Sequence, residues 1–182
     1  MNILAGKEKL SPKPAGWAML RGFSGGTLSI LILFFLGEHS HHLWIMAPFG
    51  ASCVLLYAVP QSPLAQPRNV IFGHGISAAI GLCIAMYFPL SIFSTAIAVG
   101  LAIASMQYFR CVHPPAGANP LLILLTAQAV EYDWSFLLFP VLSGAISLVA
   151  VAYAVNNFGK NQQWPEYGLG ILDRRAKNQD IP

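Results

Sequence analysis

The sequence predicts an all-α fold, a polytopic transmembrane helix bundle, and three observations carry that prediction. Hydrophobic residues make up 55% of the 182-residue chain and charged residues only 9%, where a soluble domain carries roughly a quarter charged residues. Between Gly22 and Gly159 the charged side chains are Glu38, Arg68, Arg110, Glu131 and Asp133 alone. Six apolar segments divide that stretch, and two of them open on related motifs. These are Ala47-Pro48-Phe49-Gly50-Ala51-Ser52 and, 67 residues on, His113-Pro114-Pro115-Ala116-Gly117-Ala118-Asn119.

Residues 1–16 are polar, with lysines and two prolines, and read as a short cytoplasmic arm. Within the segment 17–37, residues 22–36 have the look of a signal-peptide core. No Ala-x-Ala cleavage pattern follows it and more apolar segments do, so it is read as a retained first span. With 69–88, 92–109 and 134–157 it belongs to a set of 18 to 24 residues, close to the ~20 needed to cross the hydrocarbon core. The segments 44–59 and 115–130 count 16 residues each. At about 1.5 Å per residue they reach about 24 Å, short of a full crossing. Both carry Pro-x-Gly-Ala. Proline is tolerated at a helix start because its missing N–H would be unpaired there, and the glycine behind it admits close approach. Residues 159–182 turn polar again and read as a cytoplasmic tail, in which Trp164, Tyr167, Ile171 and Leu172 could touch the membrane surface or stay disordered.

An internal repeat extends beyond the motif. At an offset of 67, Gly50, Ala51, Leu55 and Leu56 fall on Gly117, Ala118, Leu122 and Ile123; at 66, Ile76-Ser-Ala-Ala-Ile-Gly-Leu82 falls on Leu142-Ser-Gly-Ala-Ile-Ser-Leu148. The transmembrane domain, 17–158, is thus two three-segment repeats, about 17–88 and 92–157, each a long span, a short half-helix and another long span. If every segment crosses, the second repeat is inverted, and all ten Lys and Arg share one side. Glu38, Glu131, Asp133 and the His39/His41/His42 group then share the other. If the short segments are re-entrant, Arg68 and Arg110 change sides. Basic residues favour the cytoplasm, so six crossings with both termini cytoplasmic is the expected arrangement, and four crossings with two hairpins the alternative. Trp17, Trp44, Trp134 and Trp164 lie near segment ends, where indoles favour the interface. Small residues recur every four positions at Gly73/Ser77/Gly81/Ala85, Ala96/Gly100/Ala104 and Gly22/Gly26, as in helix-packing faces.

Half-helices that start within a membrane present unpaired N–H groups and a partial positive charge, and short broken segments at matching positions mark transport sites. Gly50, Ala51, Ser52, Gly117, Ala118 and Asn119 are therefore candidate binding residues for a small anion or small polar solute. His74 lies inside an apolar span, where a polar residue is a functional candidate by default; it equally suits a histidine bridging two helices. Arg110 could draw anions to a cytoplasmic mouth or anchor the interface. His113 could exchange protons near neutrality or hold the turn before Pro114. The widely spaced Cys53, Cys83 and Cys111 form no metal or disulfide pattern, and the His39/His41/His42 group lacks further ligands, so no metal and no cofactor is expected. The basic residues cluster at the termini without aromatic interleaving, so the net charge of +3 points to topology and the lipid bilayer rather than to nucleic acid. No membrane-centre carboxylate and no nucleotide-binding loop appears.

Three stretches carry a resemblance: Arg110-Cys-Val-His-Pro-Pro-Ala-Gly-Ala-Asn119, Ala47-Pro-Phe-Gly-Ala-Ser52 and Pro67-Arg-Asn-Val-Ile-Phe-Gly-His74. Together they closely resemble the HPP family of integral membrane proteins, over about residues 15–158. The resemblance implies a nitrite-like substrate, since plant chloroplast members are implicated in nitrite uptake. It also implies four spans, the number usually given for the family, against the six favoured by the charge split. The expected function is a transporter or channel for nitrite or nitrate, without enzymatic activity, in a bacterial inner membrane and open to homo-oligomerisation. The alternatives are an intramembrane serine hydrolase using Ser52 with His74 as base, and a non-transporting scaffold or sensor.

Overall fold

The computed structural model describes residues 12–40, 44–159 and 163–168. These form six α-helices and no strand: α1 (Gly16–Ser40), α2 (Ala47–Ala58), α3 (Pro67–Tyr87), α4 (Ile92–Tyr108), α5 (Asn119–Thr126) and α6 (Ser143–Asn156). Proline stands in the first turn of α2, α3 and α5, where its missing donor costs nothing. A serine pair starts α4: Ser91 accepts the Ser94 N–H while Ser94 accepts the Ser91 N–H, a reciprocal cap. Three helical stretches are long and apolar enough to cross a membrane, Gly16–Ser40, Pro67–Tyr87 and Leu137–Asn156. The 17-residue α4 sits at the lower limit of a span.

Two segments differ from their sequence reading. The 115–130 segment is not one half-helix but a 3-10 turn, Pro114–Ala118, followed by the eight-residue α5; Pro120 has no N–H to give the Ala116 carbonyl, which takes that of Asn119 instead, so one α-helix cannot run through. The 134–157 segment is interrupted by a kink within Leu137–Leu142, because Phe139 takes a non-helical conformation (φ −130°, ψ 113°) before Pro140, and α6 follows it. A residue before proline is pushed out of the α region by the ring.

Helix α1 packs on α2 and α6, α3 packs on α4, α5 and α6, α2 on α6, and α4 on α5. Exchanging α1 with α4, α2 with α5 and α3 with α6 maps the α3–α6 pair onto itself and each of the other neighbour pairs onto another. Two ring-into-glycine contacts hold the first half to the second and to itself. A Cβ on Gly144 would strike the Phe49 ring, and one on Gly25 would strike the Tyr57 ring; Tyr57 also shares a hydrogen bond with Ser29 at 2.5 Å. Of the small-residue stripes, that of α3 is used. A Cβ on Gly73 would meet His113 Cβ at 2.8 Å, and one on Gly81 would meet Pro120 Cα at 3.0 Å. Gly22, Gly26 and Gly100 face open space, so those stripes pack against nothing within the described residues.

One end of the bundle is tied by hydrogen bonds. Residues 163–168 dock on the α2–α3 connection: Trp164 Nε1 donates to the Pro60 carbonyl, and the Tyr167 hydroxyl lies 2.8 Å from the Pro63 carbonyl and 2.9 Å from Asn69 Oδ1, two acceptors that share its single proton. Trp164 is buried while Trp17 and Trp134 are exposed. Trp44 is buried too, donating to Ser40. Two of the four indoles are thus packing elements. Ile171, Leu172, His41, His42 and most of the N-terminal arm lie outside the described residues.

Candidate functional site

Four of the candidate residues converge in one buried cluster. Ser52 lies in the second turn of α2, His74 two turns into α3, His113 just before the Pro114–Ala118 turn, and Asn119 at the start of α5; all four are at most 1% exposed. Ser52 Oγ lies 2.8 Å from His74 Nε2, 2.8 Å from His113 Nε2 and 3.1 Å from the Pro48 carbonyl. His113 Nδ1 lies 2.8 Å from the Leu64 carbonyl. Asn119 Nδ2 reaches His74 Nδ1 at 3.1 Å, the His74 carbonyl at 3.2 Å and Ser77 Oγ at 2.9 Å. The His74 ring stands edge-on to Phe49 and to His113, both centroids at 5.1 Å.

The directions of these bonds follow from groups that have only one role. The His74 carbonyl can only accept, so the Asn119 atom facing it is the amide nitrogen. That nitrogen donates, so His74 Nδ1 accepts, and a neutral imidazole then carries its proton on Nε2 and donates to Ser52. The Leu64 carbonyl also only accepts, so His113 carries its proton on Nδ1 and its Nε2 accepts from the Ser52 hydroxyl. The result is a one-way chain from Asn119 through His74, Ser52 and His113 to Leu64. One acceptor remains unused: Asn119 Oδ1, buried and without a partner.

The two proline motifs face each other beside this cluster. Ala47, Pro48, Ala51 and Leu55 from α2, with Pro114, Pro115 and Ala118 from the second motif, line one open groove of about 460 Å³ that is almost wholly apolar. Gly50 and Gly117 have open space where a Cβ would stand. The backbone donors expected at the helix starts are largely spent. Asn119 N–H bonds the Ala116 carbonyl, Phe49 N–H bonds Met46 at 2.9 Å, and Pro48 has no N–H. Ala51 and Ser52 lie beyond the first turn, where N–H groups are paired along the helix. Side chains, not backbone, form the polar part of the site.

Arg110 stands apart from the cluster. It is exposed, with φ 54°, and closes α4: its N–H bonds the Gln107 carbonyl and the Cys111 N–H bonds Met106, the Schellman pattern in which glycine is usual. Arg68 Nη2 donates to the Phe109 carbonyl at 2.8 Å, placing a cation at the negative end of α4. Burial raises the Tyr167 phenol above its ordinary value, opposed by the nearby charges of Arg68 and Arg110. His39 bonds back to Phe35 of its own helix, and the described residues hold no metal-binding group of three His, Cys, Asp or Glu.

Sequence reading missed two partners of the cluster, Ser77 and the Leu64 carbonyl, and two residues that build its end of the bundle. Gln66 donates to Pro60 and Ser62 carbonyls and accepts the Glu166 N–H; Asn69 donates to the Val112 carbonyl. Ser77, Gln66 and Asn69 are polar residues in or at the edge of an apolar span, the signal that singled out His74. A backbone carbonyl such as that of Leu64 leaves no such mark.

The transmembrane region of the HPP family matches residues 11–165. This chain belongs to the HPP family. The match covers every helix of the fold and the whole cluster. Two relatives from Dictyostelium discoideum, both described only as transmembrane proteins, are 35% and 33% identical over 170 and 156 residues. Those stretches are 89% and 84% of this chain but 60% and 50% of the relatives, so the chain spans about half to three-fifths of their length. No solved structure matches it.

Proposed function

We propose that this integral membrane protein carries a small monovalent anion, with nitrite the first candidate and nitrate the second, along the groove between its two proline motifs. The observation that supports this most is the meeting of Pro48 and Ala51 with Pro114, Pro115 and Ala118 around one groove, beside a buried polar cluster that both motifs supply. Glycines at 50 and 117 keep the backbone uncrowded there. An apolar lining favours a weakly hydrated, singly charged ion, because stripping water from a multiply charged one costs far more than carbon can return. Nitrite and nitrate fit, and the HPP resemblance points to nitrite.

The same reading takes all six segments as crossings, with the second repeat inverted, the termini cytoplasmic and a bacterial inner membrane as the location. The neighbour pairs that survive exchange of the two halves support the repeat. The test is flux into liposomes containing the purified protein. Nitrite uptake above that of empty liposomes, reduced in Ser52→Ala and Asn119→Ala, is the expected result; uptake unchanged in both variants removes the cluster from the pathway.

One observation favours a second reading, an intramembrane serine hydrolase: the 2.8 Å approach of Ser52 to two imidazoles. The bond directions change its base. His74 Nε2 already bears a proton, whereas His113 Nε2 is free to take one and its Nδ1–H is held by Leu64, the geometry of a serine–histidine dyad. Against it, Ser52 has no exposed surface. Covalent labelling of Ser52 by a fluorophosphonate, absent in Ser52→Ala, would favour this reading over transport.

A further inference from the structure

Resting on the transport reading, we infer that His113 is a proton site coupled to the anion, so that one proton crosses with each anion and the cycle moves no net charge. The geometry that points to this is the threefold environment of Ser52 Oγ. A hydroxyl has one proton and two lone pairs, yet Ser52 has three partners, the two imidazole Nε2 atoms at 2.8 Å and the Pro48 carbonyl at 3.1 Å.

Two complete bonding schemes fit the same heavy-atom positions. With both histidines neutral, the Ser52 hydroxyl donates to His113 Nε2 and accepts from His74 Nε2–H. When His113 gains a proton, its Nε2–H donates to Ser52 instead, and the hydroxyl turns to the Pro48 carbonyl. Its Nδ1–H stays on Leu64 throughout. Protonation therefore breaks no other bond and shifts no heavy atom; one O–H rotor turns. His74 has no such second scheme, because a proton on its Nδ1 would face the Asn119 amide protons.

A buried imidazolium needs a counter-charge. The described carboxylates, Glu38, Glu131, Asp133 and Glu166, are all exposed. The other ionisable groups on the elements around the histidines are Cys53 and Tyr57 of α2, Arg68, Cys83 and Tyr87 of α3, Tyr108 of α4, Arg110 and Cys111 after α4, and Tyr167. The cations among these, Arg68 and Arg110, cap the end of α4 and oppose rather than neutralise a charge on His113. The anion is thus the counter-charge. Its groove is lined by Pro114 and Pro115, which follow His113, and by Pro48 and Ala51, which flank the Ser52 turn. The neutral cluster, by contrast, has no unused donor for an anion: the protons of Asn119, His74, Ser52 and His113 are all engaged, and the remaining group, Asn119 Oδ1, is an acceptor. Proton and anion therefore stabilise each other's binding. The balance is one hydronium proton and one anion taken from one side and both released on the other, with no covalent bond made and nothing oxidised.

The experiment uses proteoliposomes of the full chain with a trapped pH dye, a nitrite gradient, and potassium–valinomycin clamps at opposite membrane potentials, each corrected by empty liposomes. The expected result is one proton entering per nitrite, with the same initial uptake rate at both potentials. Uptake above the empty liposomes that follows the potential and brings no acidification overturns the coupling and leaves transport standing. No uptake above the empty liposomes overturns both. In His113→Gln, which cannot hold the proton, the protein-dependent acidification is lost. Because that variant could fail to fold, a second measurement uses the unaltered protein. Nitrogen NMR of histidine-labelled protein should show His113 protonated on Nδ1 alone without nitrite and on both nitrogens with saturating nitrite; a His113 signal that nitrite leaves unchanged overturns the proposal.

Discussion

At the scale of single residues, the site is governed by which atoms must donate. Asn119 is the anchor of the chain, since its amide protons meet His74 Nδ1, the His74 carbonyl and Ser77. Asn119→Ala leaves buried acceptors unpaired and should lower stability by about 1–3 kcal/mol, read as a fall in the unfolding temperature of the detergent-purified protein. Asn119→Asp should be worse than alanine, because it turns an acceptor towards a carbonyl that can only accept. An aspartate variant as stable as the parent would mean that the amide points the other way. Much of this was legible from the sequence: Ser52, His74 and Asn119 are visible as polar residues in apolar segments, and His113 as the first residue of the motif that opens one. Their mutual contact was not, since they are spread over 68 positions and meet only through packing of α2, α3 and α5. The motif offsets mislead at this scale: they pair Ser52 with Asn119, but they place Met46 opposite His113 and Pro140 opposite His74, so the two histidines have no counterpart.

At the scale of helices, small residues and caps decide how closely the elements approach. Gly144→Ala puts a methyl group into the Phe49 ring, and Phe49 is fully buried against His74. Overpacking of this kind costs about 1–3 kcal/mol. Gly100→Ala meets open space and replaces glycine by a better helix former, so it should raise stability by up to about 1 kcal/mol. Thermal unfolding of the pair gives opposite signs if these contacts are right, and equal shifts would show that Gly144 does not face Phe49. The end of α4 offers a third case. Arg110 holds a left-handed conformation that costs a residue with a Cβ roughly 1–2 kcal/mol, so Arg110→Gly should stabilise the protein by about 1 kcal/mol. The sequence marked the position and types of these helices well, since length and charge depletion define spans directly. It did not mark the breaks at Pro114–Pro115 and Phe139–Pro140, where proline can either start a helix or interrupt one and the neighbouring packing selects between them.

At the scale of the whole molecule, the arrangement of ends decides how the chain lies in the membrane. The α2–α3 connection, the residues after α4 and the segment 163–168 are bound together: Trp164 to Pro60, Tyr167 and Val112 to Asn69, and Arg68 to Phe109. Trp134 meets Tyr87 at the end of α3, and Trp44, just before α2, meets Phe139 at the kink before α6. Arg68 and Arg110 therefore lie with the first group, while Glu131 and Asp133 flank the second. Since positive charge stays in the cytoplasm, the first end should be cytoplasmic, and α2 then runs from the outer half towards it. Single cysteines test this after Cys83 is replaced, the other two native thiols being buried. Gln61→Cys, at an exposed position of the α2–α3 connection, should be blocked by membrane-impermeant maleimide only in inverted vesicles. Asp133→Cys, exposed before the kink at Phe139, should be blocked only from the outside of intact cells. Labelling of both from the same side would mean that α2 turns back instead of crossing. The groove between the proline motifs would then open to one face alone, and a transport path through it would need a different exit.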